Sequence, residues 1–171
     1  MKVVRWAAAI REQPSPSFCA TIQLTMPFLH TPECRSRIEA RLRLLHSNSK
    51  TVWGKMSVDQ MVFHVSQGLA LALGQITQPA QKTPLPRSIM KWLVLNLPWP
   101  KGAPTVPVLE ATQQYDFETE RTRCLELVKT FTRKGLAEEW PLHPIFGEVT
   151  GKFTSQLQAK HLDHHLRQFG V

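Results

Sequence analysis

Over four separated segments the apolar residues of this chain recur every three or four positions, and no run of two-residue alternation appears anywhere. That combination argues against a sheet as the organising layer. It leaves helices that must each bury one stripe against other helices. Thr31-Pro32-Glu33 opens the first of them. Threonine is a good N-cap, and proline at the first helical position gives up an N–H that would have no partner there. Cys34, Ile38, Leu42 and Leu45 then line one face to about residue 46. Ser57 with Gln60 reads as a capping box for the second helix. Its stripe is Val58, Met61, Val62, Val65, Leu69 and Ala72, and Gly74 is its expected stop.

The third helix is expected over about residues 116–134, along Phe117, Cys124, Val128 and Phe131, with Gly135 as its stop. The fourth is expected over about residues 150–170. Between the second and third lies a short apolar segment, residues 89–97, followed by Pro98, Pro100, Pro104 and Pro107. Proline at that density cannot continue a helix, so loop or extended chain is expected there. Four helices of about 16 to 20 residues with one long Pro-rich crossover between helices two and three predict an all-α fold, a four-helix bundle.

A chain of 171 residues has room for one such domain. Its 42% hydrophobic and 20% charged residues are those of a packed core, not of a disordered chain or coiled coil. Residues 1–26 differ from the rest: they contain Pro14-Ser15-Pro16-Ser17 and hold no sustained period. They are expected to be a poorly structured N-terminal extension ahead of a domain at residues 27–171, and Met26 is an alternative to Met1 as the start. The longest apolar stretch, residues 92–99, is broken by Asn96 and Pro98 and falls well short of the roughly 20 residues a bilayer requires. No membrane partner is expected. Residues 6–10 are too short an apolar run for a secretory signal. Three cysteines with no CxxC spacing suit a reducing cytoplasm better than a disulfide framework. The net charge of +8 raises the question of an anionic partner. Arg35, Arg37, Arg41 and Arg43 cluster on the first helix, but there is no basic run, so the charge reads as a solubility feature and nucleic acid is not the expected partner.

Seven histidines fall in this one small chain. On the last helix, with His161 at zero and about 100° per residue, Lys152, Gln156, Lys160, Asp163 and Arg167 occupy an arc of roughly 180° to 260° that must face water. His165 falls near 40°, at the opposite pole, with His161 beside it, while His164 at about 300° lies toward the rim. Two inward imidazoles one helical turn apart can reach a single ion. On the second helix His64 lies about 60° from Met61, at the edge of the apolar stripe, from where it could supply a third ligand. The alternative for each is a hydrogen-bonded core histidine. No inward Asp or Glu is at hand to pair the imidazoles, which favours metal.

Several segments resemble a known family. Trp53-Gly54-Lys55-Met56-Ser57-Val58-Asp59-Gln60-Met61, with His64 following, resembles the start of helix two in the DinB/YfiT-like superfamily of metal-binding bundles, in the branch called domain of unknown function 1569. The stretch from Leu97-Pro98-Trp99-Pro100 to Thr105 resembles that branch's Pro-rich insertion. His143-Pro144-Ile145-Phe146-Gly147 and His161-Leu162-Asp163-His164-His165, running on to Gly170, resemble its C-terminal signature. The resemblance covers residues 26–171. It implies an up-down-down-up four-helix bundle, often a homodimer, with a divalent ion held by His64, His161 and His165. Related branches include thiol-dependent transferases and isomerases that use low-molecular-weight thiols such as bacillithiol or mycothiol.

Three neutral histidines leave a tetrahedral zinc with an open position, as in catalytic sites. Zinc is the first expectation; nickel, iron and manganese also suit three imidazoles with water. Leu162 stands where a zinc protease places its glutamate base, so the HExxH reading fails. Glu148, His143 and His164 are candidate bases by sequence proximity only. His143-Pro144 reads first as a turn that sets the entry to the last helix, Gln168 as a residue near the histidine pair, and Trp53, Trp92, Trp99 and Trp140 as packing residues. The Pro-rich loop is read either as a pocket wall or as a rigid strap. The expectation is a cytoplasmic metal-binding protein acting on a small-molecule substrate or thiol, as a thiol S-transferase or metal-dependent hydrolase. The rival is a non-catalytic bundle that binds metal or a partner, or, in one variant, an anion through the helix-one arginines.

Overall fold

The computed structural model describes residues 27–101 and 106–171. The expected N-terminal extension, with Cys19, and residues 102–105 of the Pro-rich stretch lie outside the described residues. The architecture is all-helical: α1 Pro32–Leu44, α2 Val58–Ala72, α3 Arg87–Asn96, α4 Phe117–Arg133 and α5 Gly151–Gln168, with one 3₁₀ turn at Pro107–Leu109. Among the described residues there is no strand, only an isolated antiparallel bridge between His143 and Gly147.

The starts of these helices follow from local chemistry. The first N–H groups of a helix have no partner inside it, so a side-chain oxygen just upstream sets where the helix begins. Thr31 Oγ accepts from the Cys34 N–H at 3.3 Å, Asp116 Oδ1 from Thr119 at 2.8 Å, and Thr150 Oγ from Phe153 at 3.2 Å. Ser57 and Gln60 form the expected capping box. At the far end of α2, Gly74 takes φ +75°, a left-handed conformation that closes the last turn at little steric cost. Gly135 behaves differently from expectation. It has no positive φ, and α4 ends through an extended Lys134; the Gly135 N–H donates to the Glu138 carboxylate.

The expected count of four helices is corrected to five. Residues 87–96 form a ten-residue helix, α3, where an apolar segment leading into loop or extended chain was expected. Pro98, the first of the prolines that suggested an irregular segment, lies beyond the helix's C-cap Leu97, and Pro86 sits at its N-cap. Proline is tolerated at both kinds of position.

Helix α2 packs against α4 and α5, α1 against the same two, and α3 against α5 alone. The predicted stripes all point inward. Ile38 and Leu42 of α1, Met61, Val62, Val65 and Leu69 of α2, Val128 and Phe131 of α4, and Leu162 and Leu166 of α5 meet in one core. Cys34 and Cys124 are unpaired and buried in it, and burial pushes the Cys124 thiol up to about 12. A smaller cluster of Leu71, Val106 and Leu109, with Ile145 against it, seats the 3₁₀ turn beside α2. That cluster positions the Leu109 carbonyl for the site described next.

Candidate metal centre

His64 on α2 and His161 and His165 on α5 come together inside the molecule, each less than a tenth exposed. Their ring centroids form a near-equilateral triangle of 4.9, 4.7 and 4.9 Å. One ligand-type nitrogen from each lies within 4.8 Å of the others. Among the described residues this is the group of metal-type donors that converges, and it contains no carboxylate.

The outer nitrogens explain how two of the rings are aimed. His64 Nδ1–H donates to the Leu109 carbonyl at 2.8 Å. His165 Nδ1–H donates to Gln168 Oε1 at 2.9 Å, and Gln168 Nε2–H donates to the Trp53 carbonyl at 2.9 Å. A neutral imidazole protonated at Nδ1 carries its lone pair at Nε2, so both of these rings turn a lone pair toward the centre. The turn that makes this possible is tight. Gly54 has φ +90°, which favours glycine, and a Cβ there would lie 2.3 Å from Gln168 Nε2, so a larger residue would displace the Gln168 amide.

Burial depresses the basicity of the whole group, because a charged imidazolium loses its hydration there. It lowers His64, takes His165 down to about 3, and holds His161 well below the ordinary histidine range, with the neighbouring histidines adding repulsion. The trio is therefore neutral at physiological pH. Neutral imidazoles with inward lone pairs are the form in which histidine binds a divalent ion, and the outer hydrogen bonds fix tautomer and ring angle as they do at metal sites generally.

The three rings lie at one wall of a cavity of about 1240 Å³. Met90, Leu93 and Val94 of α3 and Leu97 after it also line it, and the rest is largely apolar. The Pro-rich stretch contributes Pro98, Trp99, Pro100 and Lys101, which fits the wall reading of that loop. Trp99 stands 5.7 Å from the His161 ring, and Trp53 meets His164 edge-on at 4.8 Å. Two of the four tryptophans read as packing residues thus line the cavity. Trp140 is buried against Phe131 as expected, while Trp92 is 58% exposed on the outer face of α3.

Other sequence candidates separate clearly. Gln168 sits where the helical wheel put it. His143 and His164 line the cavity, but Glu148 lies outside its lining, in a smaller depression with Lys91. His143 has a turn role too: its Nδ1 accepts from the Ile145 and Phe146 N–H groups at 3.1 and 3.4 Å, and burial lowers it to about 4. On helix α1, Arg41 is spent internally on Asp163 at 2.7 Å and on the Val171 carbonyl at 2.6 Å, and Arg43 on Glu39. That leaves a reduced basic face.

Three contributors were missed from sequence. The Leu109 carbonyl is backbone and gives no signal at all. Lys160 holds α3 in place by donating to the carbonyls of Val94, Leu95 and Leu97 at 2.8, 2.8 and 2.6 Å, and the helical wheel had read it only as a water-facing charge. Gln158, three residues before His161, was legible on the same wheel that singled out Gln168 three residues after His165. No described helix is long and apolar enough to cross a membrane. No protein-family model, curated protein or solved structure matches this chain.

Proposed function

We propose that this protein is a metal-dependent enzyme of the DinB-like kind, a thiol S-transferase or hydrolase whose divalent ion, zinc first, is held by His64, His161 and His165. The observation that carries the reading is the convergence of three buried, neutral imidazoles of which two are locked, by Leu109 and Gln168, with their lone pairs facing inward. In the same reading α1, α2, α4 and α5 form the four-helix bundle, α3 belongs to the crossover, and the chain pairs as a homodimer. An ion on three neutral imidazoles keeps an open position and lowers the pKa of a water or thiol placed there.

The chain's own residues supply the rest of the site. Trp53, Trp99 and the cavity-facing residues of α3 line the cavity beside the histidines. His164, half-buried with its basicity lowered by burial and by Arg167, is neutral and can accept a proton at the rim. Among the described residues no carboxylate joins the trio, and Glu110, which lines the cavity, is exposed; the lack of a buried acidic base favours an acidic thiol over water as the group to be activated. Cobalt substitution tests this directly. Adding a small thiol to the cobalt-loaded protein is expected to produce a thiolate-to-cobalt charge-transfer band. Its absence, with cobalt bound, would remove the thiol-transferase form of the proposal and leave the hydrolase.

A further inference from the structure

We propose that Gln158 is the orienting partner of His161, and that its side-chain carbonyl stays without a hydrogen bond until an ion occupies the trio. The inference rests on the metal-binding reading above. Gln158 is 4% exposed and lines the wall of the same cavity. Its Nε2–H donates to the Gly68 carbonyl at 3.3 Å, yet its Oε1 has no partner. An unsatisfied buried carbonyl is a rarity that calls for an explanation.

The His161 tautomer supplies one. His64 has committed its proton to Leu109, so His64 Nε2 can only accept, and it lies 2.9 Å from His161 Nε2. A hydrogen bond there requires the proton of His161 to sit on Nε2. His161 Nδ1 is then a bare lone pair. His161 Nδ1 and Gln158 Oε1 both approach Gly68 on α2: a Cβ placed there would be 3.0 Å from one and 3.6 Å from the other. The two atoms are not hydrogen-bonded to each other here, as suits two acceptors with no hydrogen between them.

Ion binding reverses the arrangement. For His161 to hold an ion through Nε2, that nitrogen would first have to lose its proton to solvent, and a proton taken up at Nδ1 would restore the neutral ring. The ring stays neutral and releases no net proton. Nδ1–H can now donate to Gln158 Oε1, giving His161 the same kind of support that Leu109 gives His64 and Gln168 gives His165. Gln158 is in this account a positioning residue.

The test compares zinc affinity and ion-free thermal stability in wild type, Gln158→Met and Gln158→Glu. Methionine matches the length and lacks the carbonyl; glutamate keeps an acceptor. Gln158→Met is expected to bind zinc at least about tenfold more weakly, with a cooperative ion-free melting transition as the check that it folds. Gln158→Glu is expected to stay within about threefold of wild-type zinc affinity. Unchanged zinc affinity in Gln158→Met would overturn the inference and leave the metal site intact. A wild type that takes up no zinc would remove the metal site itself, and the inference with it. Nitrogen-15 NMR of wild type gives an answer independent of any variant. The His161 proton should sit on Nε2 without zinc and on Nδ1 with it, and the same tautomer in both states would contradict the proposal.

Discussion

At the scale of single residues, the site is defined as much by what is small or neutral as by the ligands. Gly68 lies inside α2 with ordinary helical backbone, where alanine would normally be preferred by about 1 kcal/mol. Here a Cβ would stand 2.9 Å from His161 Cε1 and 3.0 Å from Nδ1, closer than a real methyl approaches a ring. Gly68→Ala should therefore leave helix content unchanged and weaken zinc binding by about tenfold or more, the usual scale for a misplaced ligand ring. Isothermal titration with circular dichroism checks both halves, and an unaltered zinc affinity would show that the His161 ring has room to spare. The three histidines were legible from sequence because inward direction on a helix is a matter of 100° steps. The need for Gly68 was not, since nothing in a helical wheel reports how near a neighbouring helix comes.

At the scale of elements, capping residues made four helices readable almost to the residue. Thr31 and Ser57 are the N-caps the sequence suggested, and Asp116 and Thr150, near which the other two helices were expected to begin, are theirs. Helix α3 escaped for a physical reason. Its apolar residues Met90, Leu93, Val94 and Leu97 do recur at helical spacing, but it is short, has no polar side-chain cap and runs straight into Pro98, and those features masked it. It is kept in place by partners distant in sequence, chiefly Lys160, whose ammonium takes the carbonyls of its last turn and stands 5.7 Å from the Trp99 ring. Lys160→Met leaves those carbonyls without their cation. Since hydrogen bonds to charged groups contribute about 1.5–3 kcal/mol, amide exchange across residues 87–96 should accelerate by about tenfold or more. Exchange in α2 and α4 should not change. Equal protection of α3 in the variant would mean that Met90, Leu93 and Val94 hold the helix on their own.

At the scale of the whole molecule, the buried histidines make folding sensitive to acid. His143 is held at about 4 and His165 at about 3, while an unfolded histidine titrates near 6.5. Between those values the unfolded chain binds more protons than the folded one, so stability is lost as pH falls below about 6.5. At pH 5 each of these two residues weakens the fold by about 2 kcal/mol relative to pH 7. His64, His161 and His164 are lowered as well and act in the same direction. Without metal, the Tm should drop by roughly 10 °C from pH 7 to pH 5 for a chain of this size. A level Tm across that range would show that the imidazoles can charge in place.

The central claim is that His64, His161 and His165 form one metal site, and elemental analysis of untagged protein tests it most directly. Wild type should carry one divalent ion per chain after reconstitution with zinc, nickel or manganese, and His64→Ala and His165→Ala should carry little. Wild type that takes up none of the three metals, or variants that retain the ion as wild type does, would contradict it.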